Sequence, residues 1–164
     1  MTTTATPPSR NKILSALPAN EYRRLLPLLT PVSLPMGQTP YDIGERIECV
    51  YFVNSAIVSL VTHLKSGDSV EVGVAGNEGM VGLSVALGDN VAQNHAVMQS
   101  ADGASRMKAT MRTKEMKRGG QLQGLLLRYS LTLLRQVSQT AACNRNHSPG
   151  ERLARRLGFE LLKR

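Results

Sequence analysis

Apolar positions along this chain keep three rhythms in turn. Residues 10–17, "RNKILSAL", and 19–29, "ANEYRRLLPLL", each predict a short helix, and in the second, introduced by Pro18, Leu25, Leu26, Leu28 and Leu29 bunch on one face. From Val32 to about Thr110 the rhythm becomes alternation and short apolar runs, with "CVYFV", "AIVSLVTHL", "SVEVGVA" and "NHAVMQS" all strand-like. The breaks between them hold Asn54-Ser55, Ser66-Gly67-Asp68, Gly76-Asn77 and Gly88-Asp89-Asn90, residue types that enter tight turns at little steric cost. Short, evenly spaced strands with such turns predict a sandwich, barrel or jelly roll.

Near Met111 the rhythm changes again. A short helix runs to Arg118, Gly119-Gly120 interrupts it, and "QLQGLLLRYSLTLLRQVSQTAACNRNH" follows as one long helix. Leu122, Leu126, Tyr129, Leu133, Gln136, Thr140 and Cys143 recur at alternating spacings of four and three, the pattern of a coiled-coil seam. A helix of roughly 27 residues is about 40 Å long, more than a small β domain covers, so a self-pairing dimer helix is expected. Gln136 and Thr140 in that seam would set its register or face a ligand; the alternative is a helix laid on its own domain. Ser148-Pro149-Gly150-Glu151 reads as a capping box with Pro at the first helical position, so the long helix is expected to kink or stop at His147. The new helix, "GERLARRLGFELLKR", has Leu153, Leu157 and Leu161 on one stripe with Phe159 nearby. The expected organisation is a Thr- and Pro-rich disordered tail (1–9), a β-roll domain with N-terminal helices (10–118), a dimerisation helix (119–147) and a short capped helix (148–164). The fold class is α+β: an antiparallel β-roll of jelly-roll type with flanking helices and a long C-terminal helix.

With 164 residues the chain can bury one good core, and 41% hydrophobic with 20% charged residues is the balance of a globular protein. No apolar run reaches the length of a membrane span, and "MTTTATPPSR" lacks a charged segment followed by an apolar one, so no membrane partner and a cytoplasmic location are expected. Cys49 and Cys143 form no spaced motif and are expected to be free thiols. Charge changes the picture more. Residues 118–164 hold nine Lys/Arg against Glu151 and Glu160, whereas residues 1–117 hold eleven against ten acids. The basic excess therefore belongs to the C-terminal part, either as an anion-attracting surface or as a solvated helix face.

Gly76-Asn77-Glu78-Gly79-Met80-Val81-Gly82-Leu83, "GNEGMVGL", has the glycine density of a phosphate cradle but matches neither a P-loop nor a dinucleotide fingerprint. Cys143 and His147 are four apart on a helix, so that two such pairs would complete a Cys2His2 set, but one such spacing is thin support and no metal is expected. Two distant cysteines cannot hold an iron–sulfur cluster, and nothing specific marks His63, His95 or Cys49 as haem ligands. A β-roll metalloenzyme would need closely spaced histidines on one strand, and no nucleophile–base arrangement is visible; the protein is expected not to be an enzyme.

The order of these segments resembles the Crp/Fnr, catabolite activator-like, cyclic nucleotide-binding regulators. The resemblance covers roughly residues 10–157 and is carried by "LPANEYRRLLPLLTPVSLPMGQ", "YDIGERIECVYFVNSAIVSLVTHLKSGDSVEVGVAGNEGMVGLSVALG" and "LLLRYSLTLLRQVSQTAACNRNHSPGERLAR". It implies a roll that holds a small effector, a homodimer made by the long helix, and a DNA-reading helix-turn-helix beyond "ERLAR". Here "GFELLKR" follows instead, and seven residues cannot supply two helices and a turn, so DNA binding is expected to be lost or to depend on a partner. DNA is thus a partner by resemblance only, with a homodimer or a mixed dimer with full-length relatives as the expected assembly; the alternative function is a small-ligand sensor or interaction module that does not bind DNA. The resemblance implies an effector site at Gly79, Gly82, Leu83, Ser84, Asn94, His95 and Ala96, with Ser138 from the long helix. Cyclic-nucleotide-binding members carry a Glu where Leu83 stands, and Arg-Ser/Thr-Ala where Asn94-His95-Ala96 stands. Each lost charge-assisted hydrogen bond costs roughly 1.5–3 kcal/mol, so two lost bonds remove about two to four powers of ten in affinity. No cofactor and no tight cyclic AMP or GMP binding are therefore expected; His95, if protonated, would be a weaker phosphate donor, but an ordinary turn or strand-end histidine is the expectation.

Overall fold

The alternating stretch folds into two antiparallel sheets. The computed structural model describes residues 9–100 and 102–146, together with 148, 150, 151, 154 and 158. One sheet has the order β1-β7-β2-β5, formed by Thr30–Leu34 (β1), Asp102–Lys108 (β7), Cys49–Val53 (β2) and Met80–Val81 (β5). The other has the order β4-β3-β6, formed by Ser69–Ala75 (β4), Ile57–His63 (β3) and His95–Ser100 (β6). The helices are Lys12–Ser15 (α1), Ala19–Leu25 (α2), Leu83–Ala86 (α3), Ala109–Arg118 (α4) and Gln121–Asn146 (α5). β2, β3, β4 and β6 coincide with the four apolar runs. β7 reads as polar, "DGASRMK", yet pairs with β1 on one side and β2 on the other, because Ala104 and Met107 reach the core between them.

The core lies between the sheets and under the helices, where Leu14, Leu25, Val50, Phe52, Val58, Met98 and Met107 are buried. Asn11 joins α1 to this core and was not singled out by any apolar rhythm. It is fully buried, and its Oδ1 accepts from the N–H groups of Ile13 (3.1 Å) and Leu14 (3.2 Å), capping α1. Its Nδ2 donates to the carbonyls of Val53 (2.7 Å) and Gly79 (2.8 Å), so every hydrogen-bonding atom of the amide is used inside the protein.

α5 spans 26 residues, about 39 Å. Leu122, Leu126 and Tyr129 of the expected dimer seam are buried in the chain's own core. Leu133 lies over Gly73 of β4, where an added Cβ would stand 3.2 Å from Leu133 Cδ1, and Gln136 Oε1 accepts from Val74 N at 3.5 Å. The first half of the seam is therefore occupied by the roll, a correction to its assignment to a partner helix. A 4–3 spacing specifies an apolar stripe but not what covers it. A second stripe with the same spacing, Leu127, Leu131, Leu134, Ser138 and Ala141, starts five residues later, about 140° around the helix. Its leucines are 50%, 49% and 61% exposed.

The capping box forms: Ser148 N donates to the Glu151 carboxylate at 2.8 Å and Glu151 N to Ser148 Oγ at 3.4 Å, with Gly150, Glu151, Ala154 and Gly158 helical. The expected stripe Leu153, Leu157, Leu161 with Phe159, the break at His147 and the tail over residues 1–8 lie outside the described residues, while Ser9 Oγ accepts from Asn11 N at 3.1 Å. No helix among the described residues is long and apolar enough to cross a membrane.

Candidate functional site

The glycine turn between β4 and β5 is tied to protein at each of its glycine N–H groups. Gly76 N donates to Glu78 Oε1 (3.2 Å), Gly79 N to the Gly76 carbonyl (2.9 Å) and Gly82 N to Tyr41 Oη (3.0 Å). A phosphate cradle needs such donors free and convergent. What requires the glycines here is packing and backbone conformation. A Cβ on Gly79 would stand 2.4 Å from Tyr129 Oη and 2.6 Å from its Cζ, so Gly79 is the space through which α5 seats its buried tyrosine. Gly82 has φ of 89° and opens α3 in the left-handed region, which disfavours any side chain. Burial raises the pKa of the Tyr129 hydroxyl, with the nearby Glu78 charge adding to it. Burial also pushes Tyr41 up to about 12. Leu83 packs half-buried against the core, and Ser84 contributes its carbonyl to Leu87 N (2.9 Å) and Asp89 N (3.0 Å).

The triplet at the start of β6 divides between the two faces of its sheet, because successive strand residues point to opposite sides. Ala96 is buried opposite Leu60 on the face that α5 covers. Asn94 donates its amide to Thr62 Oγ1 at 3.0 Å. His95 pairs with Val61 on the opposite face and joins a different group of residues. Its Nδ1 meets Asp42 Oδ1 at 2.8 Å, its Nε2 lies 3.5 Å from Thr39 Oγ1, and its ring centroid is 5.4 Å from that of His63. Asp42 is held below the usual carboxylate pKa range first by the Ile43 N–H and then by His95. Sequence reasoning treated His63 and His95 as isolated and missed Asp42. No local motif marks the three, since they come from a loop and two strands.

Gly79, Gly82, Leu83 and Ser84 thus form one continuous turn-and-helix unit, with Asn94 and Ala96 on the α5-facing side of the neighbouring sheet. His95 is turned away from that side, and Ser138 is exposed on the outer stripe of α5. A separate cleft of about 570 Å³ at the start of α4 is lined by Arg46, Glu48, Cys49, Arg106, Lys108 and Thr113 among others; its basic residues belong to the nearly balanced part of the chain and not to the C-terminal basic excess. Deeper in α4, Arg112 is fully buried, and its guanidinium nitrogens have no hydrogen-bond partner among the described residues; desolvation pushes its pKa down to about 10.

No protein-family model matches the chain, and no curated protein matches it either. Solved structures do. The c-di-GMP responsive global regulator CLP of Xanthomonas campestris aligns with a TM-score of 0.70 at 14% identity, over 86% of this chain and 71% of its own. The N-terminal domain of a transcriptional regulator from Streptomyces coelicolor aligns with a TM-score of 0.59 at 17% identity, over 85% of this chain and 98% of its own. The regulatory domain of Toxoplasma gondii PKA, solved with cAMP, aligns with a TM-score of 0.54 at 16% identity, over 60% of this chain and 38% of its own. At such identities the likeness is one of fold.

Proposed function

We propose, from the premise that this chain has the cyclic nucleotide-binding-like fold found in Crp/Fnr-type regulators, that it is the effector-sensing and dimerising part of a transcription regulator and not an enzyme. The observation that carries this is the placement of α5. Its inner stripe lies on the roll beside the glycine turn, through Tyr129 on Gly79 and Leu133 on Gly73, while its outer stripe of Leu127, Leu131 and Leu134 is exposed. One rigid helix then joins the place where an effector would lie to a surface suited to a second copy. Small shifts of packed elements are the usual means of carrying a binding event to an interface.

The effector is not cyclic AMP or GMP bound tightly. Leu83 brings no acceptor for a ribose hydroxyl, the Asn94 amide is already committed to Thr62, and His95 faces Asp42 instead of the roll. The basic excess of residues 118–164 would attract DNA phosphates, a contact that does not read base sequence. Calorimetry with cyclic AMP is expected to give no heat at micromolar concentrations, and retention of a labelled palindromic DNA is expected to vanish as salt rises. Micromolar cyclic AMP binding, or sequence-specific retention at high salt, would overturn the corresponding half of the proposal.

A further inference from the structure

We propose that Asp42, His63 and His95 form a binding site for a divalent transition-metal ion of the zinc class. One donor atom from each residue lies within 4.8 Å of the other two. A tetrahedral zinc with bonds of about 2.0–2.2 Å sets its ligand atoms about 3.4 Å apart, so side-chain rotations of about 1.5 Å close the set. Two imidazoles and one carboxylate suit zinc and its neighbours in the first row. The harder magnesium and calcium ions prefer all-oxygen sites.

The arrangement is held in place before any ion arrives. The segment that carries Asp42 runs along β6 through backbone hydrogen bonds from Gly37 N to the Met98 carbonyl (2.8 Å), Met98 N to the Gln38 carbonyl (3.0 Å) and Ala96 N to the Tyr41 carbonyl (3.3 Å). Asp42 N donates to Glu45 Oε2 at 2.8 Å, and Ile43 N donates to Asp42 Oδ1 at 2.7 Å, which fixes the carboxylate's direction. Each ring also has a hydroxyl on one nitrogen: His63 Nδ1 meets Ser69 Oγ at 2.8 Å, and His95 Nε2 lies 3.5 Å from Thr39 Oγ1. A hydroxyl on one nitrogen orients an imidazole and leaves the other nitrogen for a ligand. An ion here replaces the proton shared by His95 Nδ1 and Asp42 Oδ1. It fastens β3, β6 and the connecting segment together, with a fourth position left to water or another ligand. The regulatory reading needs of these residues only that His95 face Asp42 and not the roll, and the site holds whether or not that reading does.

The test is titration of the full chain with zinc, in a Cys49→Ser, Cys143→Ser background that removes thiol ligands. One ion per chain is expected, with a rise in melting temperature of about 5–10 °C at a hundredfold excess over Kd. His63→Ala and His95→Ala are each expected to weaken binding at least a hundredfold, and Asp42→Asn to weaken it at least tenfold, while circular dichroism stays that of the parent. His147→Ala is expected to change nothing. Absence of zinc binding in the parent, zinc binding retained in His63→Ala, or a shift equalled by magnesium would each overturn the proposal.

Discussion

Leu126 and Leu131 sit barely more than a turn apart on α5, yet truncating them should do different things. Leu126 is 0% exposed and part of the roll's core, whereas Leu131 is 49% exposed on the outer stripe. Leu126→Ala removes three buried carbons and leaves a cavity in a site walled by sheet and helix, a change that costs about 2–5 kcal/mol. For a domain of this size that is a fall of roughly 4–20 °C in melting temperature, with about 9 °C as the central expectation. Leu131→Gln and Leu134→Gln together remove exposed apolar surface, and each costs the isolated fold less than about 0.5 kcal/mol. If the outer stripe pairs two copies, that double variant sediments as a monomer while keeping its circular dichroism. A dimer's melting temperature depends on concentration, so all proteins are compared at one concentration and again after tenfold dilution. A Leu126→Ala variant that melts within a degree or two of the parent but sediments as a monomer would put the inner stripe against a partner and not against the roll.

Asn11→Ala uncaps α1 and removes one donor each from the Val53 and Gly79 carbonyls, so urea unfolding should show a loss of about 2–4 kcal/mol. Asn11→Asp keeps the cap acceptors but sets a charge against those carbonyls, and an Asp variant as stable as the parent would refute this account. Gly79→Ala should cost about 1–3 kcal/mol by overpacking against Tyr129, and adding Tyr129→Phe should recover part of it, because the nearest clashing atom is the hydroxyl; strict additivity in the double-mutant cycle would count against the contact. The raised pKa of Tyr41, about 12 against an ordinary value near 10, means its contribution to stability is complete below pH 10 and is lost as pH rises to about 12. Between those limits the parent should lose about 2–3 kcal/mol more than Tyr41→Phe, as measured by denaturant titration at pH 9, 10.5 and 12. Equal slopes for the two proteins would show that Tyr41 is not the group responsible.

Much of this protein is legible in the order of its apolar residues. Alternation in "CVYFV" and "SVEVGVA", turn residues between them and a 3.6-residue rhythm after Gly120 determine strands, turns and helix locally, because backbone preference and side-chain periodicity act over a few neighbours. Glycine spacing in "GNEGMVGL" marked a special turn, but not its cause. Gly79 is explained only by Tyr129, fifty residues on, and the N–H groups that suggested a phosphate are used by Glu78, Gly76 and Tyr41. The long helix carries two stripes of the same spacing, and a period cannot say which one meets the roll; that depends on where β4 and the glycine turn come to lie. The same limit hid Asp42, His63 and His95, each unremarkable in its own segment. Sequence by itself determined the fold class, the four apolar strands and the helices before and after the sheets; β1, β5, β7 and α3 carry no such rhythm. Tertiary structure alone decided which faces are covered and which polar groups meet, because those are contacts between residues that the chain keeps far apart until it folds.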